Sequence, residues 1–544
     1  MFRFLILFFL IYSNFYSLSI AQSYSRNDSL RGALNPSRTC FDVYYYDLSL
    51  IINIQNKSIQ GVNEIYFKTL SNTNKIQLDL FSNLIIDSIY FNGQKLSFTR
   101  DSNAFFIQFP SILSANTTSK LSVYYEGNPI IAKKAPWDGG WVFTSDSLKR
   151  PWVGVACEGI GASLWWPLKD HLSDEPDSMR LHYTVPSSLM AVGNGILEST
   201  KINDNEKTTT YNWKVSYPIN SYNVTCNIAA YVHIQDQHIQ TNKDTLAIDY
   251  YVLDYNKQKA LNHFKQVHPM LTCYEKYFGP YPFFKDGYAM VETPYWGMEH
   301  QGAIAYGNDY TNKIIDFDYI IIHESGHEWW GNNVSTCDHA EMWIHESFTT
   351  YTENLLIEYF YGYDMSIRYL NLNKGLIKNI DPIVGPLDVN YEGWNGSDMY
   401  YKGAWILHTF RNVLQNDSLW FSILKGIQKD FALKTIHTED IVQYINQKTG
   451  VDYSCFFKQY LYNAQPPTLV TYSEKIKKNV RIYYKWENTN TDFVMSIPLN
   501  IEANKLIYIT PGLDYKFFEL KSKLVTKNLF NQNFNYFLLK NKSN

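Results

Sequence analysis

Cysteine is scarce in this chain, six residues in 544, and no two are spaced as Cys-x-x-Cys. That excludes a thiolate-built zinc site, which needs close pairs of thiols. Cys40, Cys157, Cys226, Cys273, Cys337 and Cys455 are scattered along the chain. They leave disulfides open, with no connectivity to be deduced, beside the plainer reading of small buried apolar groups. No block of Lys or Arg is dense enough to follow a phosphate backbone, and the formal net charge is -4, so nucleic acid is not an expected partner. Beyond the first residues no apolar run reaches the roughly 20 residues of a spanning helix, so no stable membrane insertion is expected. Internal repeats and low-complexity linkers are also missing.

The start of the chain is different. Met1–Tyr12 sets one positive charge before an apolar run, Ser13 and Asn14 interrupt that run, and Ser19-Ile20-Ala21 offers a small-x-small cleavage site. This pattern reads as a secretory signal peptide over 1–21, cleaved near Ala21, and the mature chain is expected to be soluble in a periplasm or outside the cell.

The length suggests three or four domains on the soft rule of roughly 150 residues each. From Tyr44 to about His233 apolar residues alternate, as in Leu48, Leu50, Ile52 and Ile54, or Ile76, Leu78 and Leu80, which predicts half-buried strands. Asn92-Gly93 marks a hairpin turn. From about Leu253 to Leu461 the period lengthens to that of amphipathic helices, and after Pro466-Pro467 short strand-like runs return. The expected fold is a multidomain α+β chain: an N-terminal β domain over 22–240, a mainly helical domain over 241–464 and a small β-sandwich over 465–544.

The chemistry is concentrated in His323-Glu324-Ser325-Gly326-His327, followed after eighteen residues by Glu346. Residues four apart share a helix face, so His323 and His327 can grip one metal while Glu324, about 100° round the axis, reaches its bound water. A helix is expected over Asp316–Trp330, stopped by Gly331-Asn332-Asn333. A second is expected after Asp338, with Glu341 completing a capping box, and running to Tyr361 before Gly362. It carries Glu346 back beside the two imidazoles. Three protein ligands leave a fourth position open, as in catalytic zinc sites. Glu353, seven residues after Glu346, shares its helix face and is a candidate to orient an imidazole.

Several further motifs stand in order along the chain: Tyr46-Asp47-Leu48-Ser49-Leu50, Trp166-Pro167, Gly279-Pro280-Tyr281-Pro282-Phe283, Trp296-Gly297-Met298-Glu299-His300, Met399-Tyr400-Tyr401-Lys402-Gly403-Ala404 and Gln459-Tyr460-Leu461. With the metal motif they make the chain resemble the zinc aminopeptidases of the aminopeptidase N family, the gluzincin aminopeptidases, over nearly its whole mature length. Trp296–His300 takes the place of the family's Gly-Ala-Met-Glu-Asn motif, and Tyr400–Ala404 that of Tyr-x-Lys-Gly-Ala.

The resemblance implies a saddle-like N-terminal β domain and a thermolysin-like catalytic domain. It makes His323, His327 and Glu346 ligands of one Zn²⁺ per chain, Glu324 the general base and Tyr400 the donor to the oxyanion. It makes Glu299 and Glu158 the carboxylates that bind the substrate's free N-terminus, Gly297 and Met298 substrate-binding residues, and peptides with a free N-terminus the partners. Four positions depart from the family: His300 for Asn, Ser163 where Arg is common, and His345 and Ser347 where Asn and Gly flank the third ligand. No large helical C-terminal domain is expected, from which either a more open site or closure by homo-oligomerisation follows. The competing readings are a zinc endopeptidase on the same metal helices, a bifunctional epoxide hydrolase, for which the helical domain is missing, and an inactive binding module that retains the fold.

Overall fold

The computed structural model describes residues 24–312, 316–502, 505–526 and 529–542; the expected signal peptide lies outside them. Alternation of apolar residues decides the N-terminal half. Strand Phe41–Asn53 buries Tyr46, Leu48, Leu50 and Ile52 on one face. It pairs antiparallel with Ser58–Thr69 and parallel with Ser178–Pro186, at the middle of an eight-stranded sheet. The Asn92-Gly93 turn forms as expected, with both residues at positive φ between strands Leu84–Phe91 and Gln94–Leu96.

The next sheet starts before the expected 240/241 boundary. Strand Tyr231–Ile239 pairs with Thr245–Leu253, and both belong to the five-stranded sheet that continues through Tyr288–Glu292 and Ile304–Tyr306 to the edge strand Gly297–Met298. The expected 240/241 boundary therefore falls inside a hairpin, because antiparallel pairing outweighs the local shift in composition. This sheet carries the Gly297-Met298-Glu299 segment to the border of the cleft.

Helix α1 (Val267–Phe278) packs behind the cleft on the next two helices, and α2 (Tyr319–Gly326), α3 (Trp343–Tyr361) and α4 (Asp398–Leu414) supply lining residues. α2 is shorter than the sequence suggested. Asp318 caps it by accepting from the Ile320 amide and is itself held by His263, Tyr306 and Asn308, so the helix start is tied to the neighbouring sheet. At the other end the amides of Trp329 and Trp330 both turn back to the Gly326 carbonyl, ending the helix at His327.

The expected capping box ahead of α3 is not present. Asp338 caps a 3-10 turn, His339–Glu341, and Glu341 turns away to accept from His437 and the Thr438 amide. α3 therefore begins at Trp343 and ends at Gly362 in a left-handed conformation. Stacking of Trp330 on Phe348, centroids 4.2 Å apart, packs the chain after α2 against α3. After Pro467 the described residues form a four-stranded and a two-stranded sheet. Two of those strands, Lys516–Lys521 and Leu538–Asn541, were not legible in the sequence. All six cysteines are free thiols, four of them buried.

Candidate active site

α2 and α3 bring His323, His327 and Glu346 together. The two Nε2 atoms stand 3.3 Å apart and 3.5 and 3.6 Å from Glu346 Oε2. A tetrahedral zinc with bonds of about 2.0–2.1 Å spaces its ligand atoms about 3.4 Å apart, so the triangle fits that ion. Glu346 Oε2 is buried without a hydrogen-bond partner, which a cation would supply. The imidazoles are also set in the right tautomer. His323 Nδ1 donates to Glu353 Oε1 at 2.6 Å and His327 Nδ1 to the Trp330 carbonyl at 2.9 Å. Both partners accept only, so each Nε2 keeps its lone pair for a metal. Tyr369 donates to the other Glu353 oxygen.

His323, His327 and Glu346 line a cleft of about 610 Å³ together with Glu158, Gly297, Met298, Glu299, Glu324 and Tyr400, and among the described residues no Lys or Arg lines it. Glu324 lies against the edge strand: a Cβ at Gly297 would fall 2.5 Å from its Oε1, so glycine is the residue that lets the carboxylate sit there. Burial, followed by the neighbouring carboxylates, pushes Glu158 well above its ordinary pKa, and burial does the same to Glu324 against the pull of His323. Burial also raises Glu299, against the pull of His327, whereas His327 and His323 hold Glu346 below its ordinary value despite burial. Oxygens of Glu158, Glu299 and Glu346 lie within 4.8 Å of one another. Such a concentration of acid without a fixed cation is suited to a metal dication and an ammonium group. Tyr400, in the first turn of α4, faces His323 with ring centroids 6.2 Å apart.

Three of the four departures, Ser163, His345 and Ser347, have hydrogen-bond partners of their own. Ser163 donates to Asp170, and the guanidinium near it comes from Arg31 instead. Arg31 pairs with Asp170 at 3.2 Å and donates to the Gly159 carbonyl at 2.7 Å, next to Glu158. Ser347 donates to the Met399 carbonyl and fills the space a Cβ at Gly403 would need, 1.8 Å from its Oγ. His300 is buried with both ring nitrogens unpartnered and is not among the cleft-lining residues.

His345 starts a chain of bonds that the sequence did not reveal. The Thr336 amide donates to its Nε2 at 3.0 Å, which leaves Nδ1 as the donor to the Tyr222 hydroxyl at 3.2 Å. Tyr222 in turn donates to Glu299 Oε1 at 2.9 Å. Burial pushes His345 down to about 3, so it is neutral and the direction of every bond is fixed. Tyr222 lies more than seventy residues from Glu299 in the chain and carries no motif, so only the fold assembles this relay.

A zinc ion bound here supplies a Lewis acid and lowers the pKa of a coordinated water to about 7. The surrounding residues can then divide the work. With an ion held there, Glu324 could accept a proton and pass it on, Tyr400 could donate to a developing oxyanion, and Glu299 with Glu158 could hold a cationic group.

Comparison with known proteins agrees with this geometry. Residues 262–460 match the peptidase family M1 domain and residues 43–223 the peptidase M1 N-terminal domain. The chain is 22% identical over 493 residues to a probable aminopeptidase 2 of Sulfurisphaera tokodaii, covering 85% of this chain and 59% of that protein. It is 26% identical to a leucine aminopeptidase 2 of Vanderwaltozyma polyspora over 336 residues, 59% of this chain and 48% of that protein. The chain thus spans about half the length of these relatives. Its fold is similar to that of a variant M1 zinc metallopeptidase from Deinococcus radiodurans bound to a Tyr-Ser-Ala substrate, with TM-score 0.67 and 19% identity, covering 80% of this chain and 97% of that one. Two family domains in register with a histidine, histidine and glutamate triangle place the chain in peptidase family M1.

Proposed function

We propose that the protein is a secreted aminopeptidase that uses one zinc per chain to hydrolyse the N-terminal peptide bond of peptides. The observation that carries this reading is the position of Glu158 and Glu299 beside the metal triangle, with oxygens within 4.8 Å of Glu346. An ammonium group held there leaves the first peptide bond within reach of the metal and Glu324, and the longer part of the chain must leave from the other side. An endopeptidase has no use for an amine clamp at this point. The relatives named as aminopeptidases and the neighbour bound to a tripeptide support the same substrate class.

The test is a panel of aminoacyl reporters, free and N-acetylated, with and without chelator. Cleavage of the free series alone, abolished by chelator, is expected; cleavage of acetylated substrates would establish an endopeptidase. Export rests on the N-terminal pattern, and Edman sequencing of protein from the periplasm or medium is expected to start just after Ala21. A mature N-terminus at Met1 would refute it.

A further inference from the structure

One wall of the cleft is aromatic, and neither the metal nor the amine clamp uses it. Tyr319 stacks on the ligand His323 with centroids 5.3 Å apart, Trp296 stacks on Tyr319 at 5.6 Å, and Trp137 leans on Trp296 at 6.1 Å. All four rings line the cleft, and the outer two are open to solvent, Trp137 63% exposed and Trp296 40%. Large indoles left this wet at the mouth of a pocket are an apolar surface in want of a cover. The arrangement is built rather than loose. The Trp296 indole N–H donates to Asn308, which is bound to Asp318, the cap of α2, so the ring is fixed to the helix that carries the metal ligands.

The stripe also shares its supports with the amine clamp. Trp296 lies three residues before Glu299. The Trp137 loop packs on the Glu158 loop, where a Cβ at Gly139 would lie 2.3 Å from the Ile160 Cγ2. A peptide whose ammonium group is held by Glu158 and Glu299 therefore lies in the same cleft as these rings.

Resting on the aminopeptidase reading above, we propose that Trp137, Trp296 and Tyr319 form a subsite for an aromatic first side chain of the peptide. The acidic residues at the mouth do not redirect it toward a basic side chain. Asp138 spends its oxygens on the amides of Lys133 and Lys134, and Glu392 faces Arg31 at 4.0 Å. Contact between aromatic rings is worth roughly a 3- to 10-fold gain in affinity.

Two measurements test this on the zinc-loaded protein. In the first, kcat/KM is compared for phenylalanyl, alanyl and arginyl reporter amides. The Phe/Ala ratio is expected to exceed about 10, to fall roughly 3- to 10-fold in Trp296→Ala and in Trp137→Ala, and to recover in Trp296→Phe. A ratio rather than a rate is read because partial misfolding lowers both substrates alike. In the second, calorimetry on Glu324→Gln compares binding of Phe-Ala with Ala-Ala, and again with each Trp variant added. Hydrolysis with an unchanged ratio in both variants, or a preference for arginine indifferent to them, overturns the subsite and leaves the aminopeptidase reading standing. If no free or blocked substrate is hydrolysed, the aminopeptidase reading falls, and the calorimetric preference for Phe-Ala, lost or kept in the Trp variants, still decides the subsite.

Discussion

Glu324 and Tyr222 sit at opposite ends of what a single side chain can reveal. Glu324 is legible from its place between two histidines four apart, and its proposed role as a base follows from that place. Glu324→Gln keeps the shape and loses the base, so zinc content measured by elemental analysis stays near one per chain while turnover falls about 10²-fold or more. Tyr222 has no sequence signature, yet it donates to Glu299 Oε1, which on the proposed reading leaves the other oxygen for the substrate amine. Tyr222→Phe is expected to raise KM about 10-fold for free N-terminal substrates with a smaller change in kcat, as for loss of one hydrogen bond to a charged group. An equal fall in kcat at constant KM would refute a role in positioning the amine site.

At the scale of elements, two departures from the family pattern, Ser347 and Ser163, are accommodated by a neighbouring element. The register of α4 against α3 is set at Gly403, whose missing Cβ admits the Ser347 hydroxyl. Gly403→Ala is expected to cost about 1–3 kcal/mol by overpacking and to displace Tyr400 one turn away, which thermal unfolding and turnover would both register. Unchanged stability and activity would show that the two helices can separate freely. The N-terminal segment is a second case. Arg31 holds the Gly159 carbonyl, so Arg31→Ala is expected to loosen the Glu158 loop and raise KM by several-fold while leaving zinc content unchanged. Helix lengths were less legible than helix identities, because the starts of α2 and α3 are set by Asp318 and Glu341, which bond to distant elements, while α2 ends in a local turn at Trp330.

Over the whole molecule the dominant fact is the cost of confining Glu158, Glu299, Glu324 and Glu346 in one cleft with no Lys or Arg among its described lining residues. The metal offsets that cost, and since it binds the folded chain, it stabilises by mass action, about 2.7 kcal/mol when free zinc is 100-fold above Kd. Chelation is expected to lower the thermal midpoint, and the difference between zinc-loaded and stripped protein to shrink at low pH as the carboxylates take up protons. The sign follows from Glu158, Glu299 and Glu324, whose raised pKa values mean that the stripped fold binds protons the unfolded chain has lost, so its stability falls as pH rises. Identical melting with and without chelator would contradict this.

The sequence by itself determined what a short stretch of backbone can enforce: the paired imidazoles on one helical turn, the carboxylate one helix further on, the alternating strands of the N-terminal sheet and the Asn92-Gly93 turn. Those features rest on periodicity and local torsions, which are written in consecutive residues. Only the tertiary structure decided which groups converge from far along the chain. It joined Tyr222 and His345 to Glu299, put Arg31 where Ser163 left room, and laid Trp137 beside Trp296. These are contacts across sheets, loops and helices, fixed by how whole elements pack, and no local rule of spacing encodes them.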